Sequence, residues 1–227
     1  MVRAGVAFVV AVLAISPGAA AEIRATAQLI PIALLDTGGR VLQVSPYEVT
    51  VASWRQCFDS GGCTHLPVRP SASGQLPVTG VNWFDVNEYL AWTNSKDGGE
   101  VRLPSLAEWR EIARSIAHEK PARLFTDPRL AWAATYGQEI MQTGPPRGVG
   151  SFSTTSEGIS DLDGNVWEWT SSCAKPGFGD LCPAYVVAGE HEAVISVFVR
   201  DPGSGGCATG TPPTYLGFRL VSDSQKQ

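Results

Sequence analysis

The segment from Asp161 to Trp169 constrains the fold of this chain more than any other part of the sequence. Its nine residues, DLDGNVWEW, hold three carboxylates, a glycine, an amide and two indoles. In a β-strand, Trp167 and Trp169 would share one face while Glu168 points to the other. So many oxygen groups are unusual in a plain core strand. Carboxylates together with backbone carbonyls are the ligands that a hard cation such as Ca²⁺ prefers.

The first 21 residues have the pattern of a secretory signal peptide. Arg3 supplies a positive start, an apolar run extends from Val6 to Ile15, and Ala19-Ala20-Ala21 offers a small-residue cleavage site. The run is too short for a membrane anchor, although an uncleaved signal anchor is the alternative. No other segment is long and apolar enough to cross a bilayer. We therefore expect a periplasmic or secreted protein with no membrane span after cleavage.

The charge balance bears on the class of partner. The chain has 17 basic and 22 acidic side chains, and only Arg3 lies in the predicted leader, so cleavage leaves 16 against 22 and a net charge of −6. Because binding to phosphates needs a basic surface, this balance argues against a nucleic-acid partner. The 206 residues that remain of 227 suffice for one sizeable domain with its own core.

Cysteines are expected to form disulfides in an exported chain. The five cysteines are Cys57, Cys63, Cys173, Cys182 and Cys207. Short segments that contain glycine separate the first two and the next two, which favours two local bridges, Cys57 to Cys63 and Cys173 to Cys182. Pairing of Cys173 or Cys182 with Cys207 is the alternative that the sequence leaves open. With two local bridges Cys207 is left over, either as an inert thiol or as a candidate nucleophile.

Turn and strand patterns divide the chain into an N-terminal hairpin, one domain and a tail. An apolar, β-prone stretch, a turn at residues 36–39 and a second extended stretch predict a hairpin within residues 22–43 that leads into the domain. Residues 44–221 mix short helices with scattered strands, which predicts a single irregular α+β domain. Residues 222–227 are polar, and we expect a disordered tail.

Helix starts are marked by capping residues. Thr50 is placed to cap a short helix. Asn82 and Ser105 are each followed three residues later by an acid, Asp85 and Glu108, which is the pattern of a capping box. We therefore predict three helices that begin directly after these caps.

Four motifs and a closing segment occur in order along the chain. They are YEVT (47–50), PVTGVNW (77–83), RLPSLAEW (102–109), GNVWEW (164–169) and LGFR (216–219). This set resembles the formylglycine-generating enzyme, or sulfatase-modifying factor, family over about residues 44 to 221. The resemblance implies a variant of the C-type-lectin-like fold, with much irregular structure around a small sheet. The tryptophans of the motifs are interpreted as core residues rather than ligand-stacking platforms.

Two arginines of these motifs are expected to tie irregular segments together. Arg102 and Arg219 are predicted to pair with Glu48, Glu108 or Glu111, because guanidinium groups bind carboxylates through two parallel hydrogen bonds.

The resemblance also implies one calcium site. Asp161 stands where the family places a calcium-binding Asn or Asp, Gly164 and Val166 would offer backbone carbonyls, and Glu168 would offer a carboxylate. A second calcium position of the family is not matched, because Thr135 stands where an Asn is expected. We therefore predict at most one structural Ca²⁺. The alternative is that Asp161 and Glu168 only cap turns and bind arginine.

The family's copper chemistry is not supported by the cysteines of this chain. The family's enzyme oxidises a substrate cysteine with O₂ and Cu(I), held by two cysteines five positions apart shortly before the final Gly-Phe-Arg. Soft thiolates suit Cu(I). Here residues 193–200 contain no cysteine, and Cys207 has no partner at that spacing. One thiolate cannot make a two-coordinate copper site, so the sequence argues against copper.

A different metal site at Glu190-His191-Glu192 is a weaker hypothesis. In a strand the two acids share a face and His191 points away from them, so a solvated loop is the simpler interpretation.

The sequence thus favours an exported accessory or maturation factor that binds a protein or peptide client. One alternative is a protein-modifying oxidoreductase that uses another metal or Cys207. A second alternative is a lectin-like ligand-binding module with a variable loop at residues 201–213. Whether the chain is an enzyme stays open at this point.

Overall fold

A computed structural model describes residues 29–34, 40–67, 73–98, 100–116, 144–174, 182–190, 192–200 and 215–223. These residues form three helices, α1 (Val51–Asp59), α2 (Trp83–Asp97) and α3 (Leu106–Ile112). They also form eight strands: β1 (Ile30–Leu34), β2 (Arg40–Val44), β3 (Val101–Arg102), β4 (Trp167–Cys173), β5 (Ala184–Ala188), β6 (Ala193–Ser196), β7 (Leu216–Gly217) and β8 (Val221–Asp223). The signal peptide, residues 22–28 and the predicted turn at 36–39 lie outside the described residues. Within the described part of the chain, no helix is long and apolar enough to cross a membrane.

The first sheet joins the two ends of the described chain. Its strand order is β1-β2-β8-β3, with all neighbours antiparallel. β1 pairs with β2 in the segment where the sequence pattern predicts a hairpin. The prediction of a disordered tail from residue 222 is wrong at its start, because Ser222 and Asp223 belong to β8 and pair with β2. Residues 224–227 lie outside the described residues.

The second sheet carries the tryptophan-rich segment. Its strand order is β6-β5-β4-β7, in which β4 and β7 are parallel and the other neighbours are antiparallel. Gly217 in β7 packs against the backbone of Val78, so that a Cβ atom at position 217 would lie only 2.8 Å from the Val78 carbonyl oxygen. The glycine of the LGFR motif is therefore needed for this close approach.

The three helices begin where the capping residues predict. Thr50 caps α1, and its side chain accepts a hydrogen bond from the Ser53 amide. Asn82 with Asp85, and Ser105 with Glu108, form complete capping boxes at α2 and α3. Each box satisfies two backbone donors that a helix start otherwise leaves unpaired. Thr50 also makes an isolated antiparallel bridge to Pro77.

Glu108 also links α3 to the first sheet. Arg102 donates two hydrogen bonds of 2.8 Å to its carboxylate, which confirms the predicted pairing of these two residues, and Arg40 donates a further one. Burial acts to raise the pKa of Glu108, but hydrogen bonds from Arg102, the Ser105 amide and Arg40 outweigh it and lower the pKa to about 2. Glu108 is therefore a stable anion that fixes α3 against β2 and β3.

The core is built around aromatic stacking. Trp54 of α1 stacks on Tyr89 of α2 with ring centroids 5.5 Å apart, and both rings meet the edge of Phe218. All three side chains are almost fully buried. Large rings therefore supply much of the buried apolar area in a fold with short regular elements.

Candidate functional site

A fully buried ion pair lies at the centre of the tryptophan-rich segment. Arg219 is 0% exposed and donates from Nε and Nη2 to both carboxylate oxygens of Glu168 at 2.6–2.9 Å. The indole N–H of Trp109 donates to the same carboxylate at 2.7 Å. Arg219 also donates to the carbonyl oxygen of Ser160 at 2.9 Å. The prediction that Arg219 would pair with Glu48, Glu108 or Glu111 is therefore wrong, because Glu168 holds its guanidinium group.

Asp161 joins two loops. The backbone of Asp161 has a positive φ of 66°. Its carboxylate accepts hydrogen bonds from the backbone amides of Gly150 and Phe152, the second at 2.8 Å. Gly164 faces the Phe152 ring so closely that a Cβ atom there would lie 2.3 Å from it. Asp161 therefore acts as a turn cap within this arrangement.

Two of the four predicted calcium ligands, the carboxylates of Asp161 and Glu168, already have other partners in this arrangement. Both oxygens of Glu168 bind Arg219, and both oxygens of Asp161 accept backbone hydrogen bonds. A cation at Glu168 would have to displace or oppose a buried guanidinium group. The described ranges also hold no cluster of three or more His, Cys, Asp or Glu side chains suited to a metal ion. The calcium site with the carbonyls of Gly164 and Val166 stays a prediction, and Thr135 lies outside the described residues.

Glu48 carries a buried carboxyl group that has no hydrogen-bond partner among the described residues. Glu48 is 2% exposed, and neither of its side-chain oxygens meets a donor from that part of the chain. Burial raises the pKa of Glu48 well above its ordinary value; Arg219 partly offsets this, and the charges of Glu168 and Asp161 reinforce it. The carboxyl groups of Glu48, Glu168 and Asp161 thus all interact electrostatically with Arg219, and Glu168 is hydrogen-bonded to it.

The raised pKa of Glu48 predicts that the stability of the folded protein depends on pH. The folded protein holds a proton that the unfolded chain releases near pH 4.5, so stability is complete below that pH and falls as pH rises toward the folded pKa. The slope reaches about 1.4 kcal/mol per pH unit. Glu48→Gln should remove this slope, which urea unfolding at a series of pH values measures. An unchanged pH profile in the variant would contradict the assignment.

Exposed aromatic rings lie where the start of α2 meets the end of β6. Phe84 is 50% exposed and Phe198 is 74% exposed, and their ring centroids are 5.5 Å apart. Beside them the half-buried Trp83 stacks on Tyr185 with centroids 3.5 Å apart. We call these four residues the aromatic face. A cluster of exposed rings on an otherwise well-packed domain is typical of an interaction site.

Hydrogen bonds fix the backbone beneath the aromatic face. The Trp83 amide donates to the Val197 carbonyl at 3.3 Å. Arg200 donates two hydrogen bonds, of 2.7 and 2.8 Å, to Asp85, which also belongs to the α2 capping box. Burial acts to raise the pKa of Asp85, but the bonds from Arg200 and Asn82 outweigh it, so its pKa lies below the ordinary value. The segment 197–200 is therefore held against the start of α2.

The cysteines are paired as the favoured sequence interpretation predicts. Cys57 is bonded to Cys63, and Cys173 is bonded to Cys182. Cys207, the candidate nucleophile, lies outside the described residues, as do His118 and His191. Glu192 forms a two-point ion pair with Arg110. His65 contacts the Gly80 carbonyl at 3.1 Å, so this histidine links two loops.

Sequence reasoning missed the aromatic face and the orphaned Glu48. The available signal for the aromatic face was Phe84, a large apolar residue that lies on a different side of α2 from the core residues of that helix. Nothing in the local sequence marks Phe198 as exposed, since it lies between two valines in an apolar run.

These features define the class of the protein as an irregular α+β domain of the C-type-lectin-like type. Its described part combines three short helices with two four-stranded sheets and extensive loops. The solved structure of PvdO from Pseudomonas aeruginosa is similar, with a TM-score of 0.58, 18% identity and coverage of 82% of each chain. The fold predicted from the sequence motifs is thereby confirmed.

Within that class, the chain belongs to the sulfatase-modifying factor family. The family profile for the sulfatase-modifying factor enzyme 1-like domain matches residues 19–224, which is most of the chain. This match includes all four motifs and the closing LGFR segment.

Curated relatives are similar at moderate identity. The formylglycine-generating enzyme of Mycobacterium tuberculosis is 26% identical over 223 residues, covering 77% of this chain and 69% of that protein. The inactive C-alpha-formylglycine-generating enzyme 2 of Mus musculus is 30% identical over 148 residues, covering 59% of this chain and 42% of that protein. The chain thus spans less than half the length of the mouse protein.

Proposed function

We propose that this protein is an exported, copper-free member of its family that acts as an accessory or maturation factor. It binds a protein or peptide client through the aromatic face. The observation that carries the proposal is the exposure of Phe84 and Phe198 on a backbone that ion pairs and a capping box hold in place. Aromatic side chains on a pre-organised backbone contribute large contact area at a small entropic cost.

The thiol inventory supports a function without copper. Four of the five cysteines are joined in disulfides, so only Cys207 remains as a source of thiolate. The soft two-sulfur environment that Cu(I) prefers needs a pair of thiolates. The mouse relative, whose name describes it as inactive, is consistent with a family that includes members without this chemistry.

A selection with a displayed library of short peptides tests client binding. We expect peptides that bind the wild-type protein to lose about tenfold in affinity for the double variant Phe84→Ser/Phe198→Ser, because truncation of central aromatic contacts costs more than 1 kcal/mol, roughly a factor of ten. Val41→Ser, an exposed apolar residue of the first sheet, is the matched control and should bind normally. Equal affinity for both variants would exclude the aromatic face as the client site.

Thiol and metal measurements separate this proposal from an oxidoreductase. Cys207→Ser should leave peptide binding unchanged. The purified protein should contain no stoichiometric copper or iron and should consume no O₂ in the presence of a cysteine-containing peptide. Metal at one equivalent together with O₂ consumption that Cys207→Ser abolishes would establish the oxidoreductase instead.

A further inference from the structure

A second surface feature lies away from the aromatic face. A shallow pocket, open to solvent, is bounded by α1, the chain segments at 66–67 and 76–79, and Pro146. Its walls are apolar side chains, including three prolines, and its polar contributors are Arg55 and Thr79. A small apolar pocket with few polar groups is the usual form of a small-molecule site.

The floor of the pocket is rigid and its rim is apolar. Trp54 is 1% exposed, and its indole N–H donates to the His65 carbonyl at 2.9 Å, which fixes the orientation of the ring. Val78 is equally buried, and Val78 and Val49 are joined by a backbone hydrogen bond of 2.8 Å. Leu66 at the rim is 38% exposed. A bound apolar group would cover Leu66 without a change in the floor.

The side chain of Arg55 lacks the kind of partner that the other arginines of the described ranges have. Six of those arginines each form an ion pair with a carboxylate, namely Arg40, Arg102, Arg110, Arg114, Arg200 and Arg219. A seventh, Arg147, lies over the ring of Phe152. In the described ranges the side chain of Arg55 makes no hydrogen bond or ion pair, including with Asp59 one turn further along α1. Its guanidinium group is therefore available at an apolar pocket on a protein whose net charge is negative.

We propose that this pocket binds a small apolar monocarboxylate. The guanidinium group of Arg55 takes the carboxylate in a two-point interaction, and the apolar body lies against the exposed side chain of Leu66 at the rim. The hydroxyl group of Thr79, which makes no hydrogen bond to other described residues, supplies one more donor. A single cation matches one negative charge, so a phosphate ester or a dicarboxylate would leave charge uncompensated in apolar surroundings.

Calorimetric titration of the full chain with phenylbutyrate and with the neutral phenylbutyramide tests the proposal. The two probes share a shape and differ in charge. We expect the wild-type protein to bind the acid about tenfold more tightly than the amide, and Arg55→Gln to bind both equally, since a charge-assisted pair contributes roughly 1.4 kcal/mol or more. Leu66→Ala should weaken both probes by a similar factor.

The matched control is Arg110→Gln, which removes an exposed arginine outside the pocket and should keep the preference for the acid. Far-UV circular dichroism and the unfolding midpoint of each variant check that the fold is retained. Failure of the wild-type protein to bind either probe would overturn the proposal. So would equal binding of acid and amide, or a preference for the acid that survives in Arg55→Gln.

Discussion

Arg219→Met should lower the free energy of unfolding by about 3–5 kcal/mol, because removing one partner of a buried ion pair leaves the other charge uncompensated. Glu168 would lose its guanidinium partner and remain in the interior as an uncompensated charge. Urea denaturation followed by tryptophan fluorescence measures the change through the midpoint at constant slope. Arg219→Lys, which keeps the charge but not the planar fork, should show a smaller loss and guards against a variant that fails to fold.

The exposed pair of Arg110 and Glu192 provides the control for this result. Arg110→Met removes a similar side chain from a similar two-point contact, but both partners are exposed, so the cost should stay below about 1 kcal/mol. Equal losses for Arg219→Met and Arg110→Met would show that burial of the Glu168 pair contributes nothing to stability.

The same unfolding measurement tests the predicted calcium site. Because Arg219 already neutralises Glu168, we expect chelation of divalent cations with EGTA to leave the unfolding midpoint of the wild-type protein unchanged. A midpoint that falls on chelation, and that no longer does so in Glu168→Gln, would restore the calcium site predicted from the family resemblance.

Trp169→Ala should cost about 3–5 kcal/mol of stability through loss of buried area and formation of a cavity. The side chain is fully buried, its ring lies 5.9 Å from that of Trp83, and its indole N–H donates to the Val81 carbonyl at 3.1 Å. The variant removes all three contributions at once. Trp169→Ala should also weaken peptide binding, because the ring of Trp83 loses its packing contact with the ring of Trp169.

Trp169→Phe separates the two effects. It keeps an aromatic ring beside Trp83 but removes the five-membered ring of the indole together with its N–H, so we expect a loss of about 1–3 kcal/mol with peptide binding nearly intact. The unfolding midpoint and the peptide affinity are measured on both variants. A loss for Trp169→Ala of less than about 1 kcal/mol would mean that the surrounding side chains fill the space, and that Trp169 does not support the aromatic face.

Local features of this fold could be predicted from the sequence, and features that depend on packing could not. The capping boxes at Asn82 and Ser105 are formed within four residues, so their sequence pattern is sufficient. The pairing of Arg102 with Glu108 is almost as local. Arg219, in contrast, pairs with Glu168 across 51 residues, and only the relative positions of β4 and β7 select that acid.

The same distinction applies to the candidate sites. The aromatic face joins residues of α2 to Tyr185 of β5 and to Phe198 after β6, which are far apart in the sequence. The unpaired state of the Glu48 carboxyl group depends on which donors the described residues place around it in three dimensions. Neither property leaves a periodic or spacing signal in the sequence. The local disulfides were predictable because loop closure over six and nine positions needs no knowledge of tertiary structure.

The position of β8 has a consequence for how the chain acquires its structure. β8 pairs on one side with β2, from the beginning of the described chain, and on the other with β3. As the chain is synthesised from its N-terminus, the backbone groups of β2 and β3 that pair with β8 have no partner strand until residues 221–223 have been added. Such distant pairings are slow to form, because the entropy of closing a long loop is lost before any contact repays it. The first sheet is therefore completed only after all the other strands of the described chain have been synthesised.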